Sequence, residues 1–169
     1  RMAAALRRDL HDGGGVTLVH GQDAVQRRRR EQTGQGPERR GKVAAGDCRH
    51  DDRDGDLTYI VDKVINLRIF DDTDGHLNRS VIEENAQLMI VSQFTLYADV
   101  RKGRRPSFTV AAQPDSALEL YGRTVDLFKQ VGLSVQTGIF RQHMYVELQN
   151  DGPVTIIIDS ADRHRPRRS

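Results

Sequence analysis

The sequence predicts an α+β fold, a mixed or antiparallel β-sheet with two helices. Two segments carry apolar residues at helical spacing, and several others are short, apolar and rich in β-branched residues. Few of these elements follow one another in strict β-α-β order, which favours α+β over a doubly wound sheet. At 169 residues the chain suits one domain.

The first helix is read from residues 57–70. Leu57, Ile60, Val61, Val64 and Ile65 fall at i, i+3, i+4, i+7 and i+8, one apolar face, with Asp56 as N-cap. Asn66 to Phe70 then alternates and leaves the helix as a strand. Residues 71–75 form a turn. Residues 88–97 form a strand, and residues 101–106 a basic loop. The second helix starts near Asp115 or Ser116, with Ser116-x-x-Glu119 as a capping box. Its apolar face is Leu118, Tyr121, Val125 and Phe128, and Gly132 ends it. Two strands follow, an alternating one at 143–149 and a continuous, buried one at 154–158, joined by Asn150-Asp151-Gly152-Pro153.

Composition divides the chain sharply. Residues 1–56 contain no Phe, Tyr, Trp or Ile, and nine of the 15 glycines lie there, beside the run Arg27-Arg28-Arg29-Arg30. Only Val16 to Val19 reads as a strand. Such a segment buries too little apolar surface to offset backbone ordering, about 1–2 kcal/mol per residue. The expected organisation is an atypical basic Gly/Arg-rich segment at 1–56, a folded domain at 57–158 and a basic tail at 159–169. No stretch approaches the roughly 20 apolar residues of a membrane span. The first ten residues lack the apolar core of a secretory signal, so the expected compartment is the cytoplasm. The single cysteine, Cys48, excludes an internal disulfide framework and a cysteine-based zinc cluster. A net charge of +2 permits a nucleic-acid partner without arguing for one.

Three segments could carry chemistry. Ser92-Gln93-Phe94-Thr95 puts three polar side chains into an apolar strand. Either the strand alternates faces and ends near Ala98, or its end turns hydroxyls and free N–H groups towards a pocket. Asn150-Asp151-Gly152-Pro153 is an ordinary turn, or a rigid edge without side chains that tests a ligand's shape by exclusion. Arg101-Lys102-Gly103-Arg104-Arg105 is a solvated loop, or a phosphate contact. There is no P-loop, no G-x-G-x-x-G, no His-x-x-x-His and no G-x-S-x-G, so neither a metal nor a nucleotide cofactor is expected. His143 with Glu147, or with Ser92, is a weaker acid–base alternative.

Taken together, Ser92 to Leu96 and Asn150 to Thr155 resemble the motif pair of the D-aminoacyl-tRNA deacylases. Asn66 to Phe70, Lys102 to Phe108, Thr137-Gly138, Phe140 and Met144 continue the resemblance in register over 57–158. The resemblance implies hydrolysis of the ester between a D-amino acid, or glycine, and the terminal adenosine of tRNA. It implies a homodimer with sites at the subunit interface, partnered by the aminoacyl-tRNA 3′ end, with no cofactor and no membrane. Ser92, Gln93, Phe94 and Thr95 would line the pocket, with backbone N–H groups near Phe94 and Thr95 as an oxyanion hole and the RNA 2′-hydroxyl assisting. Gly152-Pro153, joined by a cis bond, would reach in from the second subunit, held by Asn150 and Thr155. Met144 would line the substrate site, and Lys102, Arg104 and Arg105 would meet RNA. A catalytically impaired, basic tRNA-binding protein on the same scaffold is the alternative.

Two departures qualify the match. The family opens on a Met-Arg/Lys-x-Val-x-Gln-Arg-Val pattern, and residues 1–56 show nothing like it at a similar length. They are expected to be read from a different frame, the match resuming around His50 to Leu57. Phe140-Arg141-Gln142-His143-Met144 replaces the small residues that usually follow Phe140.

Overall fold

The computed structural model describes residues 15–21, 41–146 and 154–166. Its strands are β1 (Gly15–Gly21), β2 (Gly41–Gly46), β3 (Phe70–Asp71), β4 (Leu77–Arg79), β5 (Gln87–Ser92), β6 (Ser134–Thr137) and β7 (Val154–Asp159), and its helices α1 (Asp54–Asn66) and α2 (Pro114–Gln130). Short 3₁₀ turns occupy Phe94–Tyr97 and Ser160–His164. The main sheet has the order β6-β5-β2-β1-β7, and β3 pairs with β4 in a separate ribbon. Strands β2, β5 and β6 run parallel, while β1 is antiparallel to both β2 and β7. The fold is α+β with two helices and mixed sheets, as the sequence predicts.

Both helices pack on one face of the sheet. Ile60, Val61 and Val64 from α1 meet Val125 and Phe128 from α2 over Ala44, Leu88, Ile90 and Ile158. A second cluster of Ile69, Phe70, Val81 and Ala86 seals the ribbon end. Leu88, fully buried at the centre, and Phe128 at 2% exposure anchor the main cluster. Each such side chain stabilises the fold by about 1.5–3 kcal/mol through burial alone.

Several elements differ from their sequence reading. Helix α1 begins at Asp54, and Asp56 lies inside its first turn instead of capping it. The Asp56 carboxylate accepts the Arg53 N–H at 2.9 Å, closing the turn from within. Helix α2 begins at Pro114, two residues before the proposed Ser116 box. Proline presets a helical φ and lacks an N–H that this position would leave unpaired. Its buried side runs through Ala117, Val125 and Phe128, with Tyr121 half-buried, so Leu118 points outward at 51% exposure. The strand read over 88–97 stops at Ser92, because the chain turns at Gln93 into the 3₁₀ segment. No strand forms at 143–146. The place beside β5 is taken by Ser134–Thr137, which α2 and the Gly132 turn deliver in parallel; residues 147–149 lie outside the described ones. Strand β7 is buried on one side only, with Thr155 and Ile157 exposed.

The sheet also begins earlier than the boundary at residue 57. Strand β2 lies at its centre, between β1 and β5, with Lys42, Val43 and Ala44 buried. Composition misses this strand because it carries glycine at both ends and a lysine inside. Lys42 is 1% exposed; its Nζ sits 3.8 Å above the Phe70 ring centre and donates to the Ile69 carbonyl at 3.4 Å. Burial pushes its amine down to about 7, and Asp71 offsets part of that shift. Beyond β2, burial pushes the Asp47 and Asp52 carboxyls up to about 6. Backbone hydrogen bonds, from the Cys48 N–H to Asp47 and from the Arg49 N–H to Asp52, oppose the rise.

These shifts set an expected pH profile. Between pH ~4 and ~6 the native state holds more protons on Asp47 and Asp52 than the unfolded chain, so stability falls as pH rises. Between pH ~7 and ~10 the unfolded chain holds the Lys42 proton that the native state has lost, so stability rises with pH. Urea midpoints are therefore expected to pass through a minimum between about pH 6 and 7. Lys42→Met is expected to flatten the alkaline limb, and Asp47→Asn with Asp52→Asn the acid limb. A profile unchanged in these variants refutes the assignment.

Candidate functional site

The Ser92 to Thr95 segment forms where β5 leaves the sheet. Ser92 still pairs in register with Gly46, and the Gln93 N–H donates to the Gly46 carbonyl at 2.8 Å. The chain then tightens: the Leu96 N–H reaches the Gln93 carbonyl and the Ala98 N–H the Thr95 carbonyl, each at 3.1 Å. Among the described residues, the backbone N–H groups of Phe94 and Thr95 have no backbone acceptor. The Gln93 amide and the Thr95 hydroxyl hydrogen-bond to each other, which holds both side chains beside the turn. Phe94 is 52% exposed and meets the edge of Phe108, ring centres 4.9 Å apart.

That aromatic contact brings the basic loop to the turn. Asp99 and Ser107 exchange backbone hydrogen bonds at 2.7 and 2.8 Å, closing a loop between them. Gly103 takes a φ of 71° at its tip, a left-handed conformation glycine adopts without strain. Asp99 pairs with Arg101 at 2.6 Å, while Lys102, Arg104 and Arg105 are exposed. The site therefore combines open N–H donors, an exposed aromatic ring and a cationic loop on one continuous stretch of chain.

Met144 comes in from the other side of β5. Its sulfur accepts the Ile139 N–H at 3.3 Å and lies where a side chain on Gly138 would stand, 2.7 Å from an ideal Cβ. The Gly138 N–H donates to the Ile90 carbonyl at 3.0 Å, which docks this segment on β5. Arg141 has a φ of 59°, a left-handed conformation that costs an L side chain about 1–2 kcal/mol. The unusual residue after Phe140 thus stands where glycine would be relaxed.

Thr155 is not brought to this site within one chain. Register runs Thr155, Val19, Val43, Met89 across four adjacent strands, about 14 Å at the usual strand spacing. Strand β7 is parallel to β5, and Val154 lies level with Leu88 while Ile158 lies level with Ser92. Val154, which is bonded to Pro153, is therefore at the opposite end of the sheet from the Ser92 turn. Asn150, Gly152 and Pro153 themselves lie outside the described residues.

Two further groupings escaped the sequence reading. Asp47, Asp52 and Asp56 line a cavity of about 50 Å³ with Leu57 and Phe128, beneath Ala44 and Gly46. The cavity exists because β2 presents small residues to both helices. Asp72, Asp74 and His76 place one potential ligand atom each within 4.8 Å of one another on an exposed turn. The Asp72 carboxylate already accepts the Asp74 and His76 N–H groups and the Asn78 amide, so a turn explains the cluster. Among the described residues, no helix is long and apolar enough to cross a membrane.

The family model described as D-Tyr-tRNA(Tyr) deacylase matches residues 32–159, most of the chain. The chain belongs to this deacylase family. The match starts well before the resumption expected near His50 to Leu57. A D-aminoacyl-tRNA deacylase of Thermotoga petrophila is 55% identical over 111 residues, 66% of this chain and 74% of the relative. A Bacillus subtilis protein named "Inactive D-aminoacyl-tRNA deacylase" is 51% identical over 111 residues, 66% of this chain and 84% of the relative. Among solved structures, the c-Myc DNA Unwinding Element Binding Protein superposes with a TM-score of 0.71 at 30% identity, covering 85% of this chain and 97% of that one. A probable eukaryotic D-amino acid tRNA deacylase shares the fold, with a TM-score of 0.67 at 18% identity over 86% and 99% of the two chains. The deacylases are hydrolases of aminoacyl-tRNA, in keeping with a basic loop beside open N–H donors.

The strain at Arg141 yields a direct check. Arg141→Gly is expected to stabilise the deacylase fold by about 0.5–1 kcal/mol, the steric relief exceeding glycine's entropic cost. An unchanged or lower urea midpoint would contradict the left-handed assignment.

Proposed function

We propose that this chain hydrolyses the ester joining a D-amino acid, or glycine, to the terminal adenosine of tRNA, acting in the cytoplasm as a chiral proofreader of translation. The observation that carries this reading is the Ser92–Thr95 turn, whose Phe94 and Thr95 N–H groups have no backbone acceptor among the described residues. An aminoacyl ester is already activated. Two preorganised donors on its carbonyl oxygen lower the barrier by about 3–4 kcal/mol each as the tetrahedral intermediate forms. The 2′-hydroxyl of the RNA assists the attack of water, so no side-chain nucleophile is needed. Lys102, Arg104 and Arg105 receive the phosphates of the tRNA 3′ end.

Selection between mirror images falls to Gly152-Pro153, held by Asn150 and Thr155. In a homodimer the cis Gly-Pro edge of one subunit enters the pocket of the other beside Met144, where its carbonyls bind the substrate amine and leave no room for an L side chain. The sheet register supports the need for two copies. One chain holds Thr155 and the Ser92 turn three strands apart, with Val154 at the far end of the sheet.

A second reading is favoured by β2. A buried Lys42 and a cavity under Ala44 and Gly46 are poor core chemistry for a central strand. Residues ahead of the family match, which begins at residue 32, are then a stretch read in a different frame, and the chain is a tRNA-binding protein without turnover. The nucleotide sequence bears on this point, since an alternative frame encoding an apolar strand would support it and the lack of one would defeat it.

Deacylation assays separate the readings. With D- and L-aminoacyl-tRNA as substrates, the proposal expects release of the D-amino acid and persistence of the L ester. Thr95→Ala and His143→Ala are expected to keep most of the activity, because backbone donors do the work. Equal turnover of both hands refutes chiral selection, and salt-sensitive tRNA binding with no cleavage selects the second reading. Abolition by His143→Ala would instead point to side-chain acid–base hydrolysis.

A further inference from the structure

Helix α2 is tied by a side-chain hydrogen bond to the strand that leads into the candidate site. The Tyr121 hydroxyl donates to the Ile90 carbonyl at 3.0 Å, two residues before Ser92. The same carbonyl accepts the Gly138 N–H, also at 3.0 Å. Burial, the larger effect, pushes the phenol up from its ordinary value, and the Thr137 hydroxyl offsets part of that rise. Thr137 is the β6 partner of Ile90, so three elements converge on one oxygen at the last pairing of β5 with β6. The half-buried Tyr121 ring also lies 6.0 Å from that of Phe140, beyond Gly138.

Two structures of consequence diverge from this oxygen. Along β5 the chain runs through Val91 and Ser92 into the turn bearing the Phe94 and Thr95 N–H groups. Along the other branch it runs through Gly138 and Ile139 to the Met144 sulfur, which stands against Gly138. A carbonyl oxygen has two lone pairs, and here both are used by donors from different elements. The relative placement of the open donors and of Met144 is thus set at Ile90, and the phenol is the only one of its two clamps supplied by a side chain.

We propose that Tyr121 is a positioning residue for the hydrolysis, holding the Ser92–Thr95 turn in register with the Met144 wall without itself touching substrate. This rests on the function proposed above. It deepens that reading by adding a helix residue that lies in neither motif. Misplacing oxyanion donors weakens stabilisation of the transition state more than binding of the ground state, so the loss belongs in kcat.

The test compares Tyr121→Phe with the wild type on D-aminoacyl-tRNA, together with amide hydrogen exchange of both proteins. The expected result is a kcat lower by about tenfold with KM changed less than about twofold. Exchange is expected to quicken at Gly138 and Leu96 while α1 and the β3–β4 ribbon stay as protected as before. Thr137→Val removes the hydroxyl that acts on the phenol and keeps the phenol. Its effect is expected to be non-additive with Tyr121→Phe, and it provides the same readout should that variant not fold. A wild type without turnover would sink the proposed function alone, since the exchange measurement still judges the clamp. Unchanged exchange at Gly138 and Leu96, faster exchange throughout the chain, or a loss confined to KM would each overturn the positioning role.

Discussion

The parallel ladder between Gly41–Gly46 and Gln87–Ser92 constrains almost everything else in this protein. It ends where Ser92 meets Gly46, and the Gln93 N–H makes the last bond, to the Gly46 carbonyl. Beyond that bond β5 has no neighbour on the β2 side, so the backbone curls into a 3₁₀ turn and its next N–H groups are left open. A strand that continued to Tyr97, as the apolar run suggests, would consume those donors in the sheet. The functional character of the segment thus depends on where its neighbour stops.

The same ladder makes β2 the structural weak point. A central strand is covered on both sides and is usually built from large apolar residues. This one carries glycine at both ends, alanine opposite the helices and a buried lysine held by an aromatic face and a carbonyl. Helices α1 and α2 still find Leu88, Ile90 and Ile158 to pack on, but a cavity remains beneath Ala44 and Gly46, with acidic side chains in its lining. The result is a sound frame of helices and C-terminal strands around an under-filled centre.

Topology then explains why a single chain does not bring Thr155 to the Ser92 turn. A mixed sheet that places β1 and β2 between β5 and β7 keeps the Ser92 turn and Thr155 three strands apart. Since β5 and β7 are parallel, Val154 also lies at the other end of the sheet from Ser92. In the proposed homodimer the two recognition elements come from two copies, an arrangement that suits discrimination by shape. A wall supplied by a neighbouring subunit can be rigid without having to fold around the substrate.

Much of the scaffold was legible in the residues. The i, i+3, i+4 spacing of Leu57 to Val64 located α1, and the apolar runs of 88–92 and 154–158 located β5 and β7, because local patterning carries that information directly. Ser92 to Thr95 and the Lys102 to Arg105 loop were visible as polar breaks in apolar surroundings. The pairing of Gly41–Gly46 into the sheet was not, since glycine, alanine and lysine carry little strand signal and only the neighbours β1 and β5 make them a strand. Nor was the pairing of Ser134–Thr137 with β5, since the apolar alternation pointed to a strand at 143–149 instead. The turn at Gly132 follows α2 and leads directly into Ser134–Thr137. The Tyr121–Ile90–Gly138 junction joins residues up to 48 positions apart in the chain, and no local pattern reports such a contact. Sequence alone determined which segments are apolar, which are charged and which resemble a deacylase. Tertiary structure alone decided which N–H groups stay open and which carbonyl is shared, because both depend on where non-neighbouring strands begin and end.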